Sequence, residues 1–189
     1  MEASVWTETL SGFREKAGGL EPVPAGVSIS AVTASLALAL VAKVLQLAGN
    51  PRAALLEGAR AESTHLAQLA DEDIRAFKRY MECRRLPEAR EQAIKQAIEV
   101  PMEAARAGVR GLEICLEAVG LVRGLTAADV GSAAALLSGA VQAMLISVGF
   151  NIRMMRPDPR FSEAATAECR ELELQALRHS VAVTAALSQ

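Results

Sequence analysis

From Ile29 to Gly49 the chain reads ISAVTASLALALVAKVLQLAG, a run of small and aliphatic residues with a single charge, Lys43. Such a stretch can be a membrane span, a signal sequence or a helix buried on most sides. The run is long enough for a marginal span, but Lys43 would lie inside it, Ala and Ser outnumber Leu and Phe, and its flanks carry little positive charge. The N-terminal residues MEASVWTETL are acidic where an export signal requires a basic start, so a cytoplasmic protein is expected. As a helix, Ala31, Ser35 and Ala39 form a smooth stripe, with Leu36, Leu40, Val44 and Leu47 on an adjoining face.

A second smooth stripe, Gly131, Ala135, Gly139, Ala143, Ser147 and Asn151, recurs every four residues after Thr126-Ala-Ala-Asp129, which reads as a capping box. Two smooth helices predict close packing, stripe on stripe within one chain or between symmetry mates, at the centre of an all-α bundle. Around them the pattern predicts a first helix over about 3–17 and a third from Asn50-Pro51 to about Arg85. A fourth follows from Glu88 to Val122, kinked at Pro101, and a sixth after Pro157-Asp-Pro159 is capped by Ser162. The expectation is an up-and-down helical bundle of long, partly kinked helices. With 189 residues and 51% hydrophobic content, it forms one domain, residues 1–189, with no membrane span.

The 20 Lys and Arg against 22 Asp and Glu leave no cationic excess to neutralise phosphates, so nucleic acid is not an expected partner. Cys83, Cys115 and Cys169 have no metal-ligand spacing and read as indifferent thiols; His65 and His179 are isolated. No phosphate-binding or dinucleotide loop, zinc-protease helix motif or nucleophile elbow is present.

One carboxylate stands out. In the third helix Leu66, Leu69, Asp73, Phe77 and Tyr80 follow helical steps, which sets Asp73 in an apolar stripe while Asp71 and Glu72 point elsewhere. Loss of solvation would raise its pKa and suit it to proton transfer, although a solvated or cap-paired Asp at the edge of the stripe fits the spacing as well. Asp129 reads as a helix-start carboxylate. Asn151 ends its stripe as an amide that needs partners, a ligand among them, and Arg153 reads as a rim charge.

In order along the chain, PVPAGVSISAVTASLALALVAKV, LADEDIRAFKRYMECRRLP, AIEVPMEAARAGVRGLE, TAADVGSAAALLSGAV and FNIRMM resemble the formiminotetrahydrofolate cyclodeaminase and methenyltetrahydrofolate cyclohydrolase family over nearly the whole length. That resemblance implies a cyclodeaminase-like all-α homodimer acting on the 5-formimino or 5,10-methenyl group of tetrahydrofolate, with no metal and no prosthetic group. It implies Asp73 as the proton-transfer carboxylate with Asp71 as runner-up, and Gly26, Ser28, Arg52, Asp129, Asn151 and Arg153 as substrate-binding residues. The family's Pro-Gly-Gly-Gly-Ser stretch reads Pro24-Ala25-Gly26-Val27-Ser28 here, its lysine-rich continuation after Gly49 keeps only Arg52, and the second Asn of Asn-x-x-x-Asn is Met155. Those departures motivate a competing expectation, a non-catalytic helical oligomer of the same fold that binds another small molecule or a protein.

Overall fold

The computed structural model describes residues 4–48, 52–83, 85 and 87–188, with the side chains of 87 and 88 left aside. Among these residues a 3-10 turn, Val5–Thr7, precedes six α-helices and there is no strand: α1 Leu10–Ala17, α2 Gly26–Leu47, α3 Ala53–Cys83, α4 Pro87–Val119, α5 Leu125–Met155 and α6 Pro159–Leu187. The long helices run up and down. Ser28 and Ser35 of α2 meet Asp73 and Ser63 of α3, Glu62 and Arg79 of α3 meet Arg110 and Gln96 of α4, and Ala97 of α4 meets Asn151 of α5. α6 returns antiparallel to α5, with Leu187 beside Gly131. It is tied to α4 by Arg106, which donates to both oxygens of Glu168 at 2.6 and 2.9 Å.

Several helix ends differ from the sequence expectation. The first helix breaks in two, since the Ser4 hydroxyl accepts from Trp6 N–H and the Thr9 hydroxyl caps α1 at Gly12 N–H. Thr126 does not cap α5: the helix starts at Leu125 behind Gly124, whose φ of 61° suits glycine, and the Thr126 hydroxyl donates to the Arg123 carbonyl at 2.8 Å. Asp129 is therefore inside the helix. Asp158, with Pro159 at the first helical position, caps α6 in place of Ser162. The Asn50-Pro51 start signal lies outside the described residues.

The two smooth stripes do not pack on each other along their length: Ser35 and Ala39 of the first, and Ala135 and Gly139 of the second, face elsewhere. Ser35 packs on α3, where its hydroxyl donates to the Ser63 carbonyl at 2.8 Å and the Ser63 hydroxyl donates back to the Ser35 carbonyl at 2.9 Å; Ala39 is exposed. On α5, Ala135 and Gly139 face outward, and nothing lies within 4 Å of where a Cβ on Gly139 would stand. At 3.6 residues per turn, each step of four drifts by roughly 40°, so this stripe winds from the open face at Gly139 onto α4 by Asn151. The close approaches use two glycines of α4 instead: Gly108 under Val141, and Gly111 between Leu38 and Leu137. By length and composition both α2 and α5 could cross a membrane. In this bundle 61% of the most apolar window of α2 is buried, and 44% in α5.

Gly108→Ala and Gly139→Ala should act in opposite directions. A methyl on Gly108 would stand 2.5 Å from the Val141 Cγ2 in a closed core and should cost about 1–3 kcal/mol. In the single chain the same change at Gly139 meets open space and, at protein concentrations where no second copy covers it, should stabilise the fold by about 1 kcal/mol through helix propensity. Urea unfolding of the two variants reads both signs.

Candidate functional site

α2 begins without a side-chain cap of its own, because Ala25 fills the cap position. The missing acceptor comes from α3. Ser28, fully buried in the first turn of α2, donates its hydroxyl to Asp73 Oδ2 at 2.7 Å, and its backbone N–H also favours the charged carboxylate. Burial outweighs both and lifts the Asp73 carboxyl above its ordinary 3.8. Asp73 thus combines a cap-paired geometry with the desolvation expected from its stripe, which makes it a carboxyl able to hold and release a proton at higher pH than an exposed one.

The start of α2 also meets α5. A Cβ on Gly26 would stand 3.8 Å from Ser147 Oγ, an ordinary contact, so the chain's own packing does not require glycine there. One turn further along α5, the half-buried Asn151 donates from Nδ2 to the Ala97 carbonyl of α4 at 2.9 Å. Asp73, Ser28, Gly26 and Asn151, with the Ser147 that sequence spacing left in a stripe, therefore gather at one end of the bundle from α2, α3 and α5.

The other candidates lie elsewhere. Asp71, two residues from Asp73 and so about 200° around the helix, accepts from the Ser4 hydroxyl at 2.6 Å and from Val5 N–H at 2.9 Å. It fastens the N-terminal segment, which Trp6 Nε1 also ties to the Ala67 carbonyl. Arg52 stands just before α3, 3.8 Å from Glu117, and Asp129 stands near the start of α5. Each is about 30 Å from the Asp73 end by helical rise. Arg153 is exposed and stacks over the Phe150 ring at 4.4 Å, on a groove of about 470 Å³ shared with Thr166, Cys169 and Arg170 of α6. Asp73 lines neither that groove nor the larger hollow of about 780 Å³ at the α4–α5 turn.

The histidines and cysteines lie apart from this cluster. His65 is 3.1 Å from Glu103, within an ion-pair group in which Glu103 also meets Arg106 and Arg110; His179 is 3.6 Å from Glu113. Burial pushes the Cys115 thiol up to about 12, which makes it a poor nucleophile.

The sequence profile described as Formiminotransferase-cyclodeaminase matches residues 9–171. No curated protein sequence matches the chain. Among solved structures, the fold is similar to that of formiminotetrahydrofolate cyclodeaminase from Thermotoga maritima, with a TM-score of 0.90 over 98% of each chain at 20% identity, which speaks for the fold. With the profile spanning most of the sequence, from α1 into α6, the chain belongs to the formiminotransferase-cyclodeaminase family.

Proposed function

We propose that this protein is a cytoplasmic folate one-carbon enzyme, a formiminotetrahydrofolate cyclodeaminase or a methenyltetrahydrofolate cyclohydrolase, in which Asp73 moves the proton. The observation that carries the reading is a partly buried carboxyl of raised pKa, held by Ser28 at the start of α2, in a chain of this family. In the cyclodeaminase reaction, folate N10 attacks the formimino carbon and loses its proton. The amino group gains a proton and leaves as ammonia, and the methenyl bridge closes. In the cyclohydrolase reaction, water adds to the cationic methenyl carbon, one of its protons passes to N5 as the bond to N5 breaks, and the other is released to solvent, leaving the N10-formyl product. In both, one proton passes between atoms on a single tetrahedral carbon, a transfer that one carboxyl can relay. Gly26, Ser28 and Asn151 line the folate in this reading, and no metal or prosthetic group takes part. The absorbance of the methenyl chromophore, together with ammonia release, tests both reactions on purified protein; absence of both would end the proposal.

We further propose that the working form is a homodimer paired through the open faces of α2 and α5. Ile29 and Leu36 of α2 and Leu136, Ile146 and Phe150 of α5 are exposed large apolar residues on these faces, and Gly139 leaves room for another backbone. An antiparallel pairing of α5 with its symmetry mate, centred near Gly139, would bring Asp129 of one copy to the level of Gly149 in the other. It would thereby carry the Arg52 and Asp129 end of each chain toward the Asp73 end of its mate. Light scattering should find a dimer, and Gly139→Arg should yield a folded monomer without turnover; a monomeric parent chain would rule this out.

The competing reading, a non-catalytic oligomer that binds another ligand, draws on Asp73 lining neither surface hollow and on the distance to Arg52 and Asp129. Calorimetric titration with reduced folates separates the two, since the scaffold predicts no heat.

A further inference from the structure

Pro101 lies inside α4 and has no N–H, so the carbonyl four residues earlier, on Ala97, lacks its helical donor. Ala97 is buried, where an unpaired carbonyl is costly. Asn151 supplies the donor from α5 at 2.9 Å. Only the nitrogen of a carboxamide can serve a carbonyl, so the partner fixes which way this planar group is turned.

The oxygen of Asn151 is then the arm left over. Among the described residues it has no protein partner, and since no unpaired side-chain oxygen or nitrogen there is fully buried, this oxygen is at least partly open to solvent. Asn151 itself stands one turn from Ser147, which lies beside the Gly26 start of α2, at the end of the bundle that holds Asp73.

We infer that Asn151 is a specificity-determining residue whose orientation is set by Pro101: the proline turns the carboxamide so that it offers an acceptor to a ligand's N–H edge. This rests on the folate reading, in which the 2-amino and N3–H groups of the pterin form such an edge. A ligand presenting only acceptors there would leave the oxygen unpaired, which is the stronger form of discrimination.

The test is a pair of substitutions read by two measurements, urea unfolding and calorimetric binding of 5-formyltetrahydrofolate, a stable reduced folate. Pro101→Ala returns a backbone donor to Ala97 and releases the carboxamide; stability should not fall, while affinity should weaken about fivefold, the weight of one net hydrogen bond. Asn151→Ala should lower the urea midpoint, by orphaning the Ala97 carbonyl, and weaken binding about tenfold or more. The double variant should regain the midpoint without regaining affinity. Additive midpoints, or parental affinity in Pro101→Ala, would overturn the inference. If the parent chain binds no reduced folate, the folate reading falls and the specificity role with it, whereas the stability coupling between 101 and 151 is read independently.

Discussion

Asp73→Asn is expected to lower turnover by roughly 10²- to 10⁴-fold, the usual contribution of a positioned acid or base, while leaving the bundle folded. The amide keeps the size of the carboxyl and can still accept from the Ser28 hydroxyl, so the start of α2 retains its partner. Stability should follow a definite pH pattern. Burial raises the folded-state pKa of Asp73 above 3.8, so between those two values the native chain holds more protons than the unfolded one. The contribution of this group is therefore fully present below 3.8 and is lost as pH rises through the folded value. The Asn variant lacks that slope and should be at least as stable as the parent at neutral pH. Urea midpoints across this range, set beside the pH profile of the parent's turnover, check both. An active Asn variant would remove Asp73 from the mechanism, and an unfolded one would mean that the carboxylate is needed as a cap.

Leu38→Ala should be the most damaging core change considered, at about 2–5 kcal/mol. Leu38 is fully buried, and its methyl carbons stand 3.1 and 3.3 Å from where a Cβ on Gly111 would be, with Leu137 closing the same space from α5. Three helices meet there across a glycine that has no side chain with which to fill the void, so the cavity persists. Leu36, two residues earlier in the same apolar run, is 51% exposed. Its replacement should cost under about 1 kcal/mol in the single chain, with a larger loss that depends on protein concentration where a second copy covers it. Equal losses at the two positions, measured by urea unfolding at several concentrations, would contradict this packing.

Much of the architecture was legible because helical periodicity is local. The order of the long helices, the stop at Gly18, Pro101 within α4 and the position of Asp73 among Leu66, Leu69 and Phe77 follow from spacing. The family resemblance read from the same residues agrees with the profile match and the fold. Caps were less legible, since Asp158 and Ser162 can both cap a helix, and the α5 start is set by the positive φ of Gly124 rather than by the Thr126 hydroxyl, so backbone geometry decides. Pro101 also carried an unread signal: a proline inside a helix marks the carbonyl four residues before it as in need of a donor.

Sequence by itself determined that the chain is helical and which residues share a helix face, because each residue's direction depends on its near neighbours. Tertiary structure alone decided what each face meets. It sent Asp71 to the N-terminal segment and Asp73 to Ser28, turned Gly139 outward and Asn151 onto Ala97, and set Arg52 and Asp129 at the end of the bundle away from Asp73. Those partners lie tens of residues apart along the chain, and only the docking of whole helices brings them within reach of a hydrogen bond.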